Sequence, residues 1–142
     1  MPFNPKRPQG QDYNLSGVLT LNGDLIIVGW STFLSRIATK RIVVPYISPV
    51  AIDASLGNLF DVSVTDTNAF TIANPLNPMD GQRITVTIRN TTGSGLGSVV
   101  WDTLYKLASW TSPNNGTSRS IDFRYDGTNW VEVGRTPSDV PN

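Results

Sequence analysis

From residue 45 onward, apolar and polar positions alternate in short runs. Phe60, Val62 and Val64 are separated by Asp61 and Ser63, Ile84, Val86 and Ile88 by Thr85 and Thr87, and Ile121, Phe123 and Tyr125 by Asp122 and Arg124. Phe70 and Ile72 flank Thr71, and Val131 and Val133 flank Glu132. A period of two predicts strands with one face in a core and the other toward water. Turn-forming residues punctuate the runs at Leu56-Gly57-Asn58, Asp66-Thr67-Asn68, Met79-Asp80-Gly81, Pro113 to Gly116 and Asp126-Gly127. Strands spaced by roughly 8–12 residues predict an all-β domain over 45–142, an antiparallel β-sandwich or jelly-roll-like fold. Antiparallel pairing is expected because no helical crossover separates the runs.

The pattern differs before residue 45. Residues 1–14 carry Pro2, Pro5 and Pro8, which fix φ and remove amide donors, so an extended N-terminal arm is expected there. Phe3 offers that arm an apolar anchor, and Lys6 and Arg7 offer charge, which makes these three the candidate docking residues. Residues 15–44 form a second segment. Val18 to Leu21 and Leu25 to Val28 enclose Asn22-Gly23-Asp24, a β-hairpin pattern in which Asn-Gly supplies the positive φ values of a tight turn. Leu25, Ile26, Ile27 and Val28 are apolar on both strand faces, and a lone hairpin cannot cover both. These four are therefore the candidate oligomer seam. Trp30, Phe33, Leu34 and Ile37, with Arg36, Lys40 and Arg41 on the polar side, are read as a short amphipathic turn.

Composition narrows the chemistry. The chain has no Cys, which excludes disulfides and thiolate metal sites, and no His, which excludes Ser-His-Asp triads and His-ligated zinc. Acidic residues number 11, and Glu132 is the only Glu among them. Lys and Arg also number 11, so the net charge is zero; a nucleic-acid or anionic membrane partner is not expected. No apolar run approaches the roughly 18–20 residues that span a bilayer, and the N-terminus has no apolar core of a signal peptide.

Few residues remain as candidate sites. Gly93, Gly95 and Gly97 have phosphate-loop spacing, but a strand follows at Ser98 to Trp101 where a helix is needed, so a β-hairpin loop is expected. Asp102, Asp122 and Asp126 could form a metal or acid/base cluster, and Glu132 could pair with an Asp in a glycosidase. Asp126 before Gly127 is read instead as a turn residue, and neither pattern has the required spacing, so no catalytic residue, metal or cofactor is expected. The four tryptophans, at positions 30, 101, 110 and 130, are read as core or interface residues. Trp130 lies on the face opposite Val131 and Val133, and is the candidate platform should the chain bind glycan.

Two stretches resemble bacteriophage virion proteins. Gly17 to Gly29 is similar to the strand-turn-strand units of phage fibre shafts, in which three chains wind together. Residues 51–135, through Asp53 to Phe60, Gly81 to Arg89, Ser98 to Trp101 and Phe123 to Trp130, resemble a β-sandwich module of tail fibres, head fibres and capsid decoration proteins. The resemblance implies a homotrimer on the virion, without cofactor or catalysis. A short chain with an arm fits a capsid decoration (cement) protein on the capsid surface, attached to the major capsid protein or another virion protein. The alternative is the tip of a short tail or head fibre that binds host-surface glycan.

Overall fold

β-Branched and aromatic residues dominate the alternating runs, and such side chains pack well on a pleated surface with one face covered. The computed structural model describes residues 29, 31–32 and 37–142. Nine strands follow in order: β1 Arg41–Val44, β2 Leu59–Val64, β3 Phe70–Ile72, β4 Arg83–Asn90, β5 Val99–Trp101, β6 Tyr105–Lys106, β7 Thr117–Tyr125, β8 Trp130–Arg135 and β9 Val140–Pro141. One 3₁₀ turn, Ala54–Leu56, precedes β2, and there is no α-helix among the described residues. None of their helices is long and apolar enough to cross a membrane. The Pro-rich arm with Phe3, Lys6 and Arg7, the hairpin with Leu25, Ile26, Ile27 and Val28, and the turn around Trp30, Phe33 and Leu34 lie outside the described residues. Arg41–Val44 joins the large sheet through its pairing with β2.

The described residues are all-β, but their pairing is mixed. A seven-stranded sheet has the order β1-β2-β4-β7-β8-β6, with β9 alongside β7, and β3 and β5 form a two-stranded sheet. The β4/β7, β7/β8 and β7/β9 pairs are antiparallel. The β1/β2, β2/β4, β3/β5 and β6/β8 pairs are parallel, which corrects the expectation of antiparallel pairing throughout. A parallel pair needs a crossover, usually helical. Here a strand serves: the chain leaves β2, passes through β3 in the smaller sheet, and returns as β4. It leaves again to β5, so β4 and β5 are not a hairpin, and the loop through Gly93, Gly95 and Gly97 is a passage between sheets. Gly97 makes that passage possible, because a Cβ there would overlap the backbone of Asn68 and Ala69.

One core joins the two sheets. Phe60, Val62, Val64, Ile84, Val86, Ile88, Ile121 and Phe123 come from the large sheet, and Phe70 and Ile72 from the small one, with Val50 and Ile52 beside them. Each such side chain contributes about 1.5–3 kcal/mol relative to remaining exposed. On β2, β4 and β7 the buried apolar residues are those the alternation marks, while Asp61, Asn90 and Ser118 are buried as polar residues. On β8 the parity is reversed. The four-residue connection Asp126 to Asn129 sets Tyr125 opposite Trp130 and Phe123 opposite Glu132, and cross-strand partners share a face. Trp130 is therefore core, with no exposed surface, while Val133 is 45% exposed.

Candidate functional site

The carboxylates singled out by sequence do not converge. Asp122 accepts from the Thr85 hydroxyl at 2.6 Å. Asp126 accepts from the backbone amides of Asn129 and Thr128 at 2.7 and 2.9 Å, as a turn residue should. Asp102 accepts from the Thr103 amide at 2.6 Å. Glu132 is bound by Arg135 and by the Ala108 amide at 2.9 Å. The Arg135 contact is the largest cause holding Glu132 below the usual carboxylate range, so it stays ionised and is a poor proton donor. Among the described residues no group of three His, Cys, Asp or Glu could hold a metal ion.

The aromatic residues are engaged with one another. Trp101 meets Tyr105 and Trp110 edge to face, at centroid distances of 5.1 and 5.5 Å, and Tyr105 meets Phe123 at 5.0 Å. Trp130 lies against Tyr125 at 5.0 Å. The Nε1 atoms of Trp101, Trp110 and Trp130 and the Tyr105 hydroxyl are buried without a hydrogen-bond partner among the described residues. Edge-to-face contact suits such donor groups, because it sets the positive edge of one ring against the negative face of the next. A sugar platform needs an open ring face, and Trp130 has none; the glycan-platform reading of that residue is corrected on this ground.

A surface pocket lies at the end of the large sheet where β1, β2, β4 and β8 begin and β7 ends. Two connections meet there, the 3₁₀ turn with its flanks and the loop that leads into β4. They are tied together by backbone bonds from Ala54 to the Leu76 carbonyl at 2.9 Å and from Leu76 to the Ile52 carbonyl at 2.8 Å. Asp53 caps the 3₁₀ turn through the Ser55 amide at 3.0 Å, and it also takes the Asn77 side-chain amide at 3.1 Å. Asn77 has a positive φ of 51°, a conformation Asn tolerates better than most residues. Gln82 bridges the two connections, giving its amide to the Ala54 carbonyl at 2.7 Å and taking the Met79 amide at 3.1 Å.

This framework encloses an open pocket of about 510 Å³ lined by Ala54, Ser55, Asn58, Asn77, Met79, Asp80 and Gln82, with Gly57 and Gly81. Around it stand three large apolar side chains in water: Leu56 at 54%, Leu76 at 56% and Met79 at 71% exposure. A surface carries isolated apolar residues freely, whereas three on two connections that meet, one of them lining the pocket, suit contact with a partner. Sequence reasoning read Met79-Asp80-Gly81 only as a turn. The available signal was a methionine placed in a turn, where no core position required it.

No protein-family model, curated protein or solved structure matches the chain.

Proposed function

We propose that the protein is a phage virion structural protein that works by contact with other proteins, as a trimeric decoration protein attached to the capsid. The observation that carries this reading is the exposure of Leu56, Leu76 and Met79 on the two connections that frame a pocket at one end of the sheet. Two sheets with a common core support a β-sandwich, which would present that end as a rigid docking platform. The engagement of each singled-out carboxylate by a structural partner favours binding over chemistry. In this reading Leu25, Ile26, Ile27 and Val28 form the trimer seam, and Phe3, Lys6 and Arg7 anchor the arm on the major capsid protein or another virion protein. Three linked attachment points would make modest single contacts tight. Burial of Trp130 leaves the glycan-binding fibre tip without its platform.

The test combines native mass with attachment. Light scattering after size exclusion is expected to give close to three times 15.5 kDa. The purified chain is expected to co-sediment with phage particles stripped of it, and the double substitution Leu76→Ser with Met79→Ser to reduce that attachment while melting is unchanged. A monomer with no affinity for particles would remove the reading.

A further inference from the structure

The polar groups in the walls of the pocket at the Leu76 end are not equivalent. One N–H of each side-chain amide is held within the framework: that of Asn77 goes to Asp53, that of Asn58 to the Arg83 carbonyl at 2.5 Å, and that of Gln82 to the Ala54 carbonyl. The Ser55 hydroxyl donates to Asp53 at 2.7 Å. Three acceptors have no such partner. Among the described residues, no hydrogen bond reaches Asn58 Oδ1, Asn77 Oδ1 or the Asp80 carboxylate. No Lys or Arg side chain is part of these walls. The Asp80 carboxylate sits beside the Asp126 to Asn129 connection, 3.7 Å from where a Cβ on Gly127 would lie. Met79 and Ala54 add apolar wall.

A pocket with one free carboxylate, two free amide oxygens and an apolar side selects a cation with several donors and an apolar stem. Arginine has both: five N–H donors in a planar fork, and three methylenes that prefer apolar contact. Lysine supplies a single point charge, which cannot serve three separated acceptors as well. We propose that this pocket receives the guanidinium of an arginine side chain that projects from a partner protein. Asp80 takes the charge, Asn58 and Asn77 accept the remaining N–H groups, and Met79 covers the methylene stem. The inference rests on the reading above, in that the arginine belongs to the protein surface on which this chain sits.

The test uses a small probe, so that its failure can be told apart from failure to attach to particles. The whole 142-residue chain is titrated with N-acetyl-arginine amide and followed by backbone amide resonances. A parallel titration uses N-acetyl-citrulline amide, the neutral isostere. The arginine probe is expected to shift the amides of Asn77, Asp80, Gly81 and Gln82 in a saturable way, and citrulline to bind about tenfold more weakly, because charge-assisted bonds are roughly twice as strong as neutral ones. Asp80→Asn, with the melting curve checked, is expected to weaken the arginine probe to the citrulline level. Added salt is expected to weaken the arginine probe and leave citrulline unchanged. Equal binding of the two probes, wild-type binding by Asp80→Asn, shifts confined to other residues or no shifts at all would each overturn the proposal.

Discussion

Arg135 closes on both oxygens of Glu132, with Nη2 2.5 Å from Oε2 and Nε on Oε1. On a regular strand, residues three apart point to opposite faces. Here the ladder slips between Asp122 and Phe123, so that Glu132 lies opposite Phe123 but Arg135 lies opposite Ile121. The extra residue of this bulge, Val133, restores both side chains to the core face. The same guanidinium holds the Ser109 carbonyl at 2.8 Å and the Ala108 carbonyl at 3.1 Å, while Glu132 takes the Ala108 amide. The pair thus straps the segment after β6 over the aromatic cluster. Arg135→Ala removes the strap and leaves Glu132 partly buried and unpaired. A loss of about 1–3 kcal/mol is expected in urea unfolding, with a red shift of tryptophan emission as Trp110 becomes wetter. Glu132→Gln keeps the geometry and is expected to lose less. Equal stability of Arg135→Ala and wild type would show that the strap stands without the pair.

β2, β4 and β7 were legible in the sequence because the apolar residues of each lie on one face, in the core. Trp130 was not, because its parity is fixed by the Asp126 to Asn129 turn and the pairing it imposes, and the Val131 and Val133 pattern pointed the other way. The parallel pairs were also hidden. They depend on β3 and β5 joining a second sheet, which local alternation does not encode. The pocket depends on Asn77 reaching Asp53 and Gln82 reaching Ala54, across 24 and 28 residues of chain, and within the sequence each of them looks like ordinary turn chemistry.

Acidification should destabilise the fold through a defined set of carboxylates. Asp53 is held below its ordinary value by the Ser55 hydroxyl, Asp66 by the Asn68 amide, Asp126 by the Asn129 amide and Asp139 by Arg119. Glu132 is lowered by Arg135. A lowered folded value means that the unfolded chain takes up protons first as pH falls. The stabilisation is therefore complete above the unfolded values, near 4, and is lost as pH drops through them toward the lower folded ones. The urea midpoint is expected to be flat around neutrality and to fall steeply below about pH 4. Asp126→Asn is expected to make that fall shallower. A midpoint that does not change on acidification would contradict these assignments.

The alkaline side depends on Tyr46. Its ring meets Phe70 edge to face at 5.2 Å, and its hydroxyl donates to Asp66 at 2.9 Å. Burial, then this hydrogen bond and the nearby charge, push the phenol up from 10.0 to about 12. A raised value favours the folded state below the unfolded value, and that contribution is lost as pH rises from 10 toward 12. Ultraviolet difference titration against Tyr46→Phe should isolate this phenol. Asp66→Ala removes the second and third causes and is expected to bring its midpoint down, though not fully to 10, since burial remains. An unchanged midpoint would mean that burial alone sets it.

Trp130 separates a core role from a binding role most cleanly. Its side chain has no exposed surface, it lies beside Tyr105 across the β6/β8 ladder, and its ring meets Tyr125 at a tilt of 43°. Trp130→Ala would open a cavity between β8 and β6 and is expected to cost roughly 3–5 kcal/mol, enough to unfold a marginal domain. Trp130→Phe keeps most of the apolar volume and, because the indole N–H has no acceptor to lose, is expected to cost less than half as much. An exposed platform would behave in the opposite way, since both substitutions would leave the melting temperature within the small range typical of surface positions. Thermal unfolding of the two variants therefore decides between the roles without a ligand, and comparable melting for all three proteins would return Trp130 to the surface.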